Sequence, residues 1–231
     1  MNRKKLVVLT GAGMSAESGI KTFRDDDGLW KNHHFQYLAS PEGWKNDREL
    51  VTEFYNMRRK QLSEVAPNPG HLALVRLEEK FEVTIITQNV DDLHERAGSN
   101  NVLHLHGELN KVRSERNPDL VYELNHWEMK TGDTADDGSP IRPHVVWFGE
   151  PVPMFGKAVH IASGADIFLI IGTSLVVYPA ASLIHYVSNS APKYLIDPKA
   201  EPGARVSNLE IIRNTAAHGV PLLVDKLLSK C

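Results

Sequence analysis

A short apolar run, Leu6-Val7-Val8-Leu9-Thr10, leads straight into Gly11-Ala12-Gly13-Met14-Ser15-Ala16. The pattern reads as a β-type segment, a glycine turn and the start of a helix. Gly11 and Gly13 carry no Cβ, so the chain can turn sharply and its backbone can come close to a pyrophosphate. N–H groups at the start of the following helix would point at the same anion. Gly11, Gly13 and Ala16 fit the spacing G-x-G-x-x-G/A, which a tight turn with no ligand can also satisfy. The continuation, Thr22-Phe23-Arg24 to Gly28-Leu29-Trp30, is unlike an ordinary dehydrogenase. There, an acid about 20 residues on, at the end of a second strand, holds the ribose. Here Asp25, Asp26 and Asp27 lie near that distance, but no strand-like run precedes them.

Further apolar runs at 83–87, 102–105, 145–148, 167–171, 193–196 and 209–213 are short, continuous and rich in Val and Ile. Strands buried on both faces read this way. Helices are expected over 15–19, 47–64, 70–80, 91–97, 154–163, 179–189 and 219–229, with Pro179 and Pro221 near helix starts. The alternation predicts an α/β fold: a Rossmann-like parallel sheet with helices on both faces. Two polar stretches, 32–68 and 108–143, interrupt it. They are read as insertions forming a smaller lobe against a core of approximately 1–31, 69–107 and 144–231.

The chain has 231 residues, enough for one large domain with an inserted lobe. A net charge of −3 gives no bulk basic character, so nucleic acid and anionic membranes are not expected partners. No apolar run nears the roughly 18 residues of a membrane span, and the expected location is cytoplasmic. The one cysteine, Cys231, leaves no intrachain disulfide and no four-cysteine zinc site.

Three more motifs carry polar chemistry at the ends of apolar runs, where open α/β sheets bind ligands. In Thr87-Gln88-Asn89-Val90-Asp91-Asp92-Leu93-His94, two amides and a carboxylate can hold a carboxamide or a water and stabilise a developing cation. Asp91 could equally cap the helix that starts near Asp92. In Val102-Leu103-His104-Leu105-His106-Gly107, the two histidines would share one face of a strand. An imidazole there can act as a general base near neutral pH or be a hydrogen-bonded core residue. A zinc pair would need a third ligand that the neighbourhood does not offer. Gly172-Thr173-Ser174 ends the strongest apolar run and suits phosphate or ribose contacts. Asp197, after Tyr194-Leu195-Ile196, could accept from ribose hydroxyls or serve as a turn cap before Pro198.

Taken in order, these segments resemble the sirtuins, the NAD-dependent protein deacylases. The resemblance rests on residues 11–24, Thr87 to Asp91, Leu105-His106-Gly107, Val145-Val146-Trp147-Phe148-Gly149-Glu150 and Gly172-Thr173-Ser174. It spans nearly the whole chain and implies one catalytic domain over 1–231 with NAD as cofactor. It implies that Gly11, Ala12, Gly13, Ser15, Ala16, Thr22, Phe23, Arg24 and Trp30 surround the pyrophosphate and nicotinamide ribose. It implies that Gln88, Asn89, Val90 and Asp91 line the nicotinamide pocket, and that Asn89 and Asp91 take part in catalysis. An acyl-lysine carbonyl oxygen would attack the ribose C1′. His106 would then act as general base, activating a ribose hydroxyl against the resulting imidate. The products would be nicotinamide, free lysine and O-acyl-ADP-ribose. Gly172, Thr173, Ser174, Asp197 and Ala216 fall where the family holds adenosine, Asp197 replacing a common asparagine. Val146, Phe148, Gly149 and Glu150 would bind an acylated peptide by main-chain pairing.

Tyr55 and Arg58 stand at i and i+3 on one helix face. They resemble the Tyr-x-x-Arg pair of sirtuins that remove acidic acyl groups, where a guanidinium fork and a phenol hold a succinyl or malonyl carboxylate. An ordinary exposed helix pair would have the same spacing. The stretch 108–143 lacks the cysteines of the family's structural zinc ribbon, and Ser114 stands where the first is expected. No zinc is therefore expected, and packing around Val121, Tyr122, Leu124 and Trp127 would hold the lobe. The expected protein is a monomer acting on acylated protein lysines. The same fold could serve an NADase or ADP-ribosyltransferase, a dehydrogenase or a non-catalytic NAD-binding module.

Overall fold

The computed structural model describes residues 3–20, 29–30, 33–173, 175, 177–200 and 206–230, with backbone only for 29–30. Six strands form one parallel sheet. They are β1 (Lys5–Thr10), β4 (Glu82–Thr87), β5 (Val102–His104), β9 (Ile167–Ile171), β10 (Lys193–Ile196) and β11 (Leu209–Ile212), in the order β11-β10-β9-β1-β4-β5. Every neighbouring pair is parallel. Strands buried on both faces explain the unbroken apolar runs: β9 is buried along its whole length.

Side chains alternate between the two faces. Leu6, Val8, Ile85, Leu169 and Ile171 pack beneath α4 (Pro69–Arg76) and α7 (Ala216–Leu228). Val7, Leu9, Ile86, Phe168 and Ile170 pack against α6 (Phe155–Ser163) and the 3-10 segment Ala180–Tyr186. The Rossmann-like arrangement is therefore present. Pro221 lies at the sixth position of α7, not at its start, and so removes one hydrogen bond from the helix interior. The expected helices at 15–19 and 179–189 are 3-10 turns, Ala16–Ser18 and Ala180–Tyr186.

A second sheet is antiparallel, with β6 (Gly107–Ser114) between β7 (Val121–Glu123) and β8 (Ile141–Val145). The strand expected at 145–148 is thus β8, which ends at Val145 and belongs to this sheet. A small hairpin, β2 (Leu29–Trp30) with β3 (His33–His34), precedes α1 (Phe35–Leu38), α2 (Pro41–Asn46) and α3 (Arg48–Glu64). Leu38, Trp44, Val51, Phe54, Tyr55 and Leu62 from these helices pack with Leu109, Val112, Met129, Val145 and Trp147 as a third core. The last helix, α5 (Leu93–Ala97), follows β4 and contributes Leu93 to that core.

Tyr122 and Leu124 pack against the third core as expected, but Val121 and Trp127 are exposed. Two polar devices do the work expected of them. Arg59 is buried and donates to the carbonyls of Trp127 and Leu109 and to Asn56 Oδ1. The Ser114 hydroxyl bonds Asp137 Oδ2 at 2.8 Å and Ser139 Oγ at 2.7 Å, and accepts from the N–H groups of Arg116 and Asn117. Among the described residues no helix is long and apolar enough to cross a membrane, and no group of His, Cys, Asp and Glu could hold a metal ion.

Candidate active site at the carboxyl edge of the parallel sheet

The direction of strand succession reverses between β1 and β9, because β4 and β5 follow on one side and β9, β10 and β11 on the other. A crevice opens at such a point beyond the strand ends. Both glycine segments lie there. Gly11 N–H donates to Ile171 O, and Gly13 N–H to Gly172 O at 2.8 Å. Gly11 is extended, at φ −131°, so it is needed for close approach rather than for an unusual conformation. A Cβ on Gly13 would stand 2.7 Å from Gly172 Cα. Gly172 itself sits at φ +62°, and a Cβ there would stand 2.2 Å from Met14 N.

A cleft beside this junction spans about 490 Å³, counting space open to solvent. It is lined by Ala12, Ser15, Ile20, Gln88, Asn89, Val90 and Asp91, and by Arg58, Gln61 and Leu62 of α3 with Leu109 of β6. The Gln88 to Asp91 loop is tightly pinned. Gln88 Nε2 reaches Thr173 Oγ1 at 3.3 Å, and Asn89 Nδ2 donates to Ser15 Oγ at 3.1 Å. Asn89 N–H donates to Thr87 Oγ1, which accepts also from Thr10 Oγ1; Thr10 Oγ1 in turn meets His94 Nε2 at 3.0 Å. Asp91 Oδ1 accepts from Leu93 N–H in a turn just ahead of α5, whose N-cap is Asp92 with no side-chain cap bond, and Asp91 lines the cavity. Burial raises its carboxyl above the usual range, against the pull of the Ser15 hydroxyl and Leu93 N–H.

The two histidines part company. β5 ends at His104, whose Nδ1 meets Asn89 O at 3.1 Å and whose Nε2 meets Glu95 Oε1 at 2.8 Å. Burial lowers its pKa, but Glu95 outweighs this and raises it overall. With a carbonyl and a carboxylate as partners, both ring nitrogens serve as donors. His106 Nδ1 lies 3.0 Å from Gln88 O. A carbonyl only accepts, so Nδ1 carries the proton and Nε2 is left as the basic atom. Burial lowers the His106 pKa, so the ring is neutral at pH 7.

Other expected residues are placed as follows. Ala16 is exposed at the start of its 3-10 turn. Ala216 is buried as the first residue of α7, and the neighbouring Ala217 N–H donates to Glu17 Oε2 of the glycine loop. Asp197 Oδ1 accepts from Lys199 N–H at 2.8 Å, the turn-cap alternative. Thr22, Phe23, Arg24 and Ser174 lie outside the described residues, as does the Trp30 side chain. Arg58 lines the cavity, and burial lowers its pKa while Tyr55 and Asp91 oppose that shift. Tyr55 is buried one turn before it, its phenol pushed up to about 12 by burial.

The segment 146–150 is no strand; Val146 N–H donates to His106 O and Phe148 N–H to Ala39 O. The Glu150 carboxylate is held by Arg142, at 2.6 and 3.1 Å, and accepts from Trp147 N–H. Phe148 is exposed, and Gly149 has open space around its Cα at φ +89°. Arg142, Trp147, Thr10 and His94 were not singled out from the sequence. Gln61 and Leu62, spaced i+3 and i+4 from Arg58, could have been found by that spacing.

A doubly wound sheet with paired glycine loops at its switch point, and a neutral histidine beside a polar pocket, define a dinucleotide-binding enzyme fold. Residues 11–179 match the model of the Sir2 family, and the chain belongs to that family. It is 54% identical over 227 residues to an NAD-dependent protein deacylase of Helicobacter pylori, covering 97% of this chain and 98% of that one. It is 55% identical to one of Bacteroides thetaiotaomicron, covering 97% and 98%. Among solved structures it is similar to a Sir2 homologue in complex with NAD, with TM-score 0.89 and 39% identity over 99% of this chain and 91% of that one. A Sir2 mutant with a deacetylated p53 peptide and 3′-O-acetyl ADP-ribose matches at TM-score 0.78 and 29% identity, covering 97% and 94%.

Proposed function

We propose that the chain is an NAD-dependent protein lysine deacylase that removes acetyl groups and the acidic acyl groups succinyl and malonyl. NAD supplies a ribose carbon with a nicotinamide leaving group. The names of the relatives and the NAD and peptide complexes of the similar structures support the general activity. The observation that carries it is the crevice itself, where the glycine loop and the amide-rich loop meet, with the His106 ring bonded through Nδ1 to Gln88 O of that loop.

In this reading the 11–16 loop, Gly172 and Thr173 hold the pyrophosphate and adenosine half. Gln88, Asn89 and Asp91 orient the nicotinamide end and stabilise positive charge developing on the ribose. His106 Nε2 takes the proton of a ribose hydroxyl, and Nδ1–H stays anchored on Gln88 O. The exposed Phe148 and Gly149 border the peptide seat. The reading includes a monomer in the cytoplasm, acting on acylated protein lysines and needing no zinc.

The acidic-acyl part rests on Arg58, a cavity-lining guanidinium next to a neutral phenol. Each charged hydrogen bond there is worth roughly 1.5–3 kcal/mol. Arg58→Met, assayed with NAD and paired acetyl-lysine and succinyl-lysine peptides, is expected to cut kcat/KM for the succinyl peptide at least about tenfold more than for the acetyl peptide. Equal losses on the two peptides would remove the acidic pocket from the account.

A further inference from the structure

The Tyr55 phenol is gripped by an indole. Trp147 Nε1–H donates to Tyr55 Oη at 2.9 Å, and both side chains are buried. An indole N–H only donates, so the phenol oxygen is the acceptor. Burial keeps the phenol neutral, and its own hydrogen remains to be donated. Among the described residues, the bond accepted from Trp147 is the phenol's hydrogen bond. The phenol is thus a donor one helical turn from Arg58.

Trp147 is itself held fast. Its indole lies against the Trp44 ring at 5.7 Å between centroids, and the Arg142 guanidinium carbon stands 3.4 Å from its ring centroid. Arg142 grips both oxygens of Glu150, and Glu150 Oε2 accepts from the Trp147 backbone N–H at 2.8 Å. A guanidinium over the ring, a tilted aromatic neighbour and the Glu150 contact to its backbone leave the indole little freedom.

We propose that Trp147 is a positioning residue for acyl-group selection, its indole N–H holding Tyr55 so that the phenol donates, beside Arg58, to an acyl group ending in a carboxylate. The inference rests on the acidic-acyl reading above. A carboxylate only accepts, and Arg58 only donates. With the indole in place, the Tyr55 oxygen is occupied and its hydrogen is what the phenol has left to offer an acyl group at Arg58. Without it, the phenol oxygen becomes free to accept from the guanidinium, and the carboxylate loses a donor. An acetyl group has no terminal acceptor, so it is indifferent to the exchange.

The test compares wild type, Trp147→Phe, Tyr55→Phe and the double variant on acetyl-lysine and succinyl-lysine peptides with NAD, with Arg58→Met run in parallel. Trp147→Phe keeps an aromatic ring and removes the N–H together with part of the indole's bulk, so a tryptophan analogue with ring sulfur in place of N–H, which keeps the two-ring shape, is measured alongside it. The expected result is a roughly three- to tenfold rise in KM for the succinyl peptide, with its kcat and both acetyl constants changed less than about twofold. In the Tyr55→Phe background, the same substitution is expected to add nothing further. If Trp147→Phe does not fold, the same ratios are read on protein carrying that analogue at position 147. Equal losses on both peptides, or a succinyl KM unchanged while Arg58→Met raises it, would overturn the role of Trp147. If Arg58→Met leaves the succinyl-to-acetyl ratio unchanged, the acidic-acyl reading itself fails, and this inference with it.

Discussion

At the scale of single residues, His106 and His104 illustrate how partners set roles. His104 is bonded at both nitrogens, one to a carboxylate, and its pKa is raised. His106 has one carbonyl partner, and burial lowers its pKa below the ordinary histidine value. A base works when unprotonated, so a lowered pKa extends activity towards acid. The acid limb of the kcat/KM profile is therefore expected to fall below about pH 6.5, the unperturbed histidine value. A limb centred above that value in steady-state assays would contradict the assignment of His106. His106→Ala is expected to reduce deacylation of acetyl and succinyl peptides by at least about 100-fold, the usual contribution of a general base. Calorimetry is expected to show NAD still bound, because the glycine loops remain. The imidazole was legible in the sequence from its motif, but its tautomer was not. Nothing in residues 102–107 reveals that Gln88 O would be the partner. Glu150 shows the converse: its grip by Arg142 crosses a turn and has no sequence spacing to announce it.

At the scale of elements, the parallel strands were read within a residue or so because β1, β4 and β9 are largely apolar runs buried on both faces and the others sit in short β-branched or Leu/Ile-rich stretches. β6 was missed for a physical reason. Its buried side chains, Leu109, Val112 and Ser114, do not alternate regularly, because the register with β8 shifts between Gly107 and Val112. Its polar composition then reads as loop. The same strand carries the Ser114 hydroxyl, a node with four hydrogen-bonded partners. Removing a buried hydroxyl while leaving two backbone N–H groups unpaired costs roughly 1–3 kcal/mol. Ser114→Ala is expected to lower stability by about that amount in urea unfolding. A chelator is expected to leave the wild-type melting temperature and activity unchanged. Loss of stability or activity on chelation, restored by zinc, would show that a metal holds this part of the fold.

At the scale of the whole molecule, the strand order determines where chemistry can occur. Only between β1 and β9 do successive connections diverge, and there the two glycine segments meet. The alternation of runs made this sheet legible in the sequence. That α3 and β6 would close the far side of the crevice was not, since Arg58 and Leu109 come from stretches with no strand-like pattern. In the proposed function this one crevice couples cleavage of NAD to removal of an acyl group from lysine. The most direct measurement follows nicotinamide, deacylated peptide and acyl-ADP-ribose together by mass spectrometry, with and without the acyl-lysine peptide. All three are expected in equal amounts, with nicotinamide release that depends on the peptide. Nicotinamide released equally fast without peptide, or reduced cofactor in place of nicotinamide, would contradict that function.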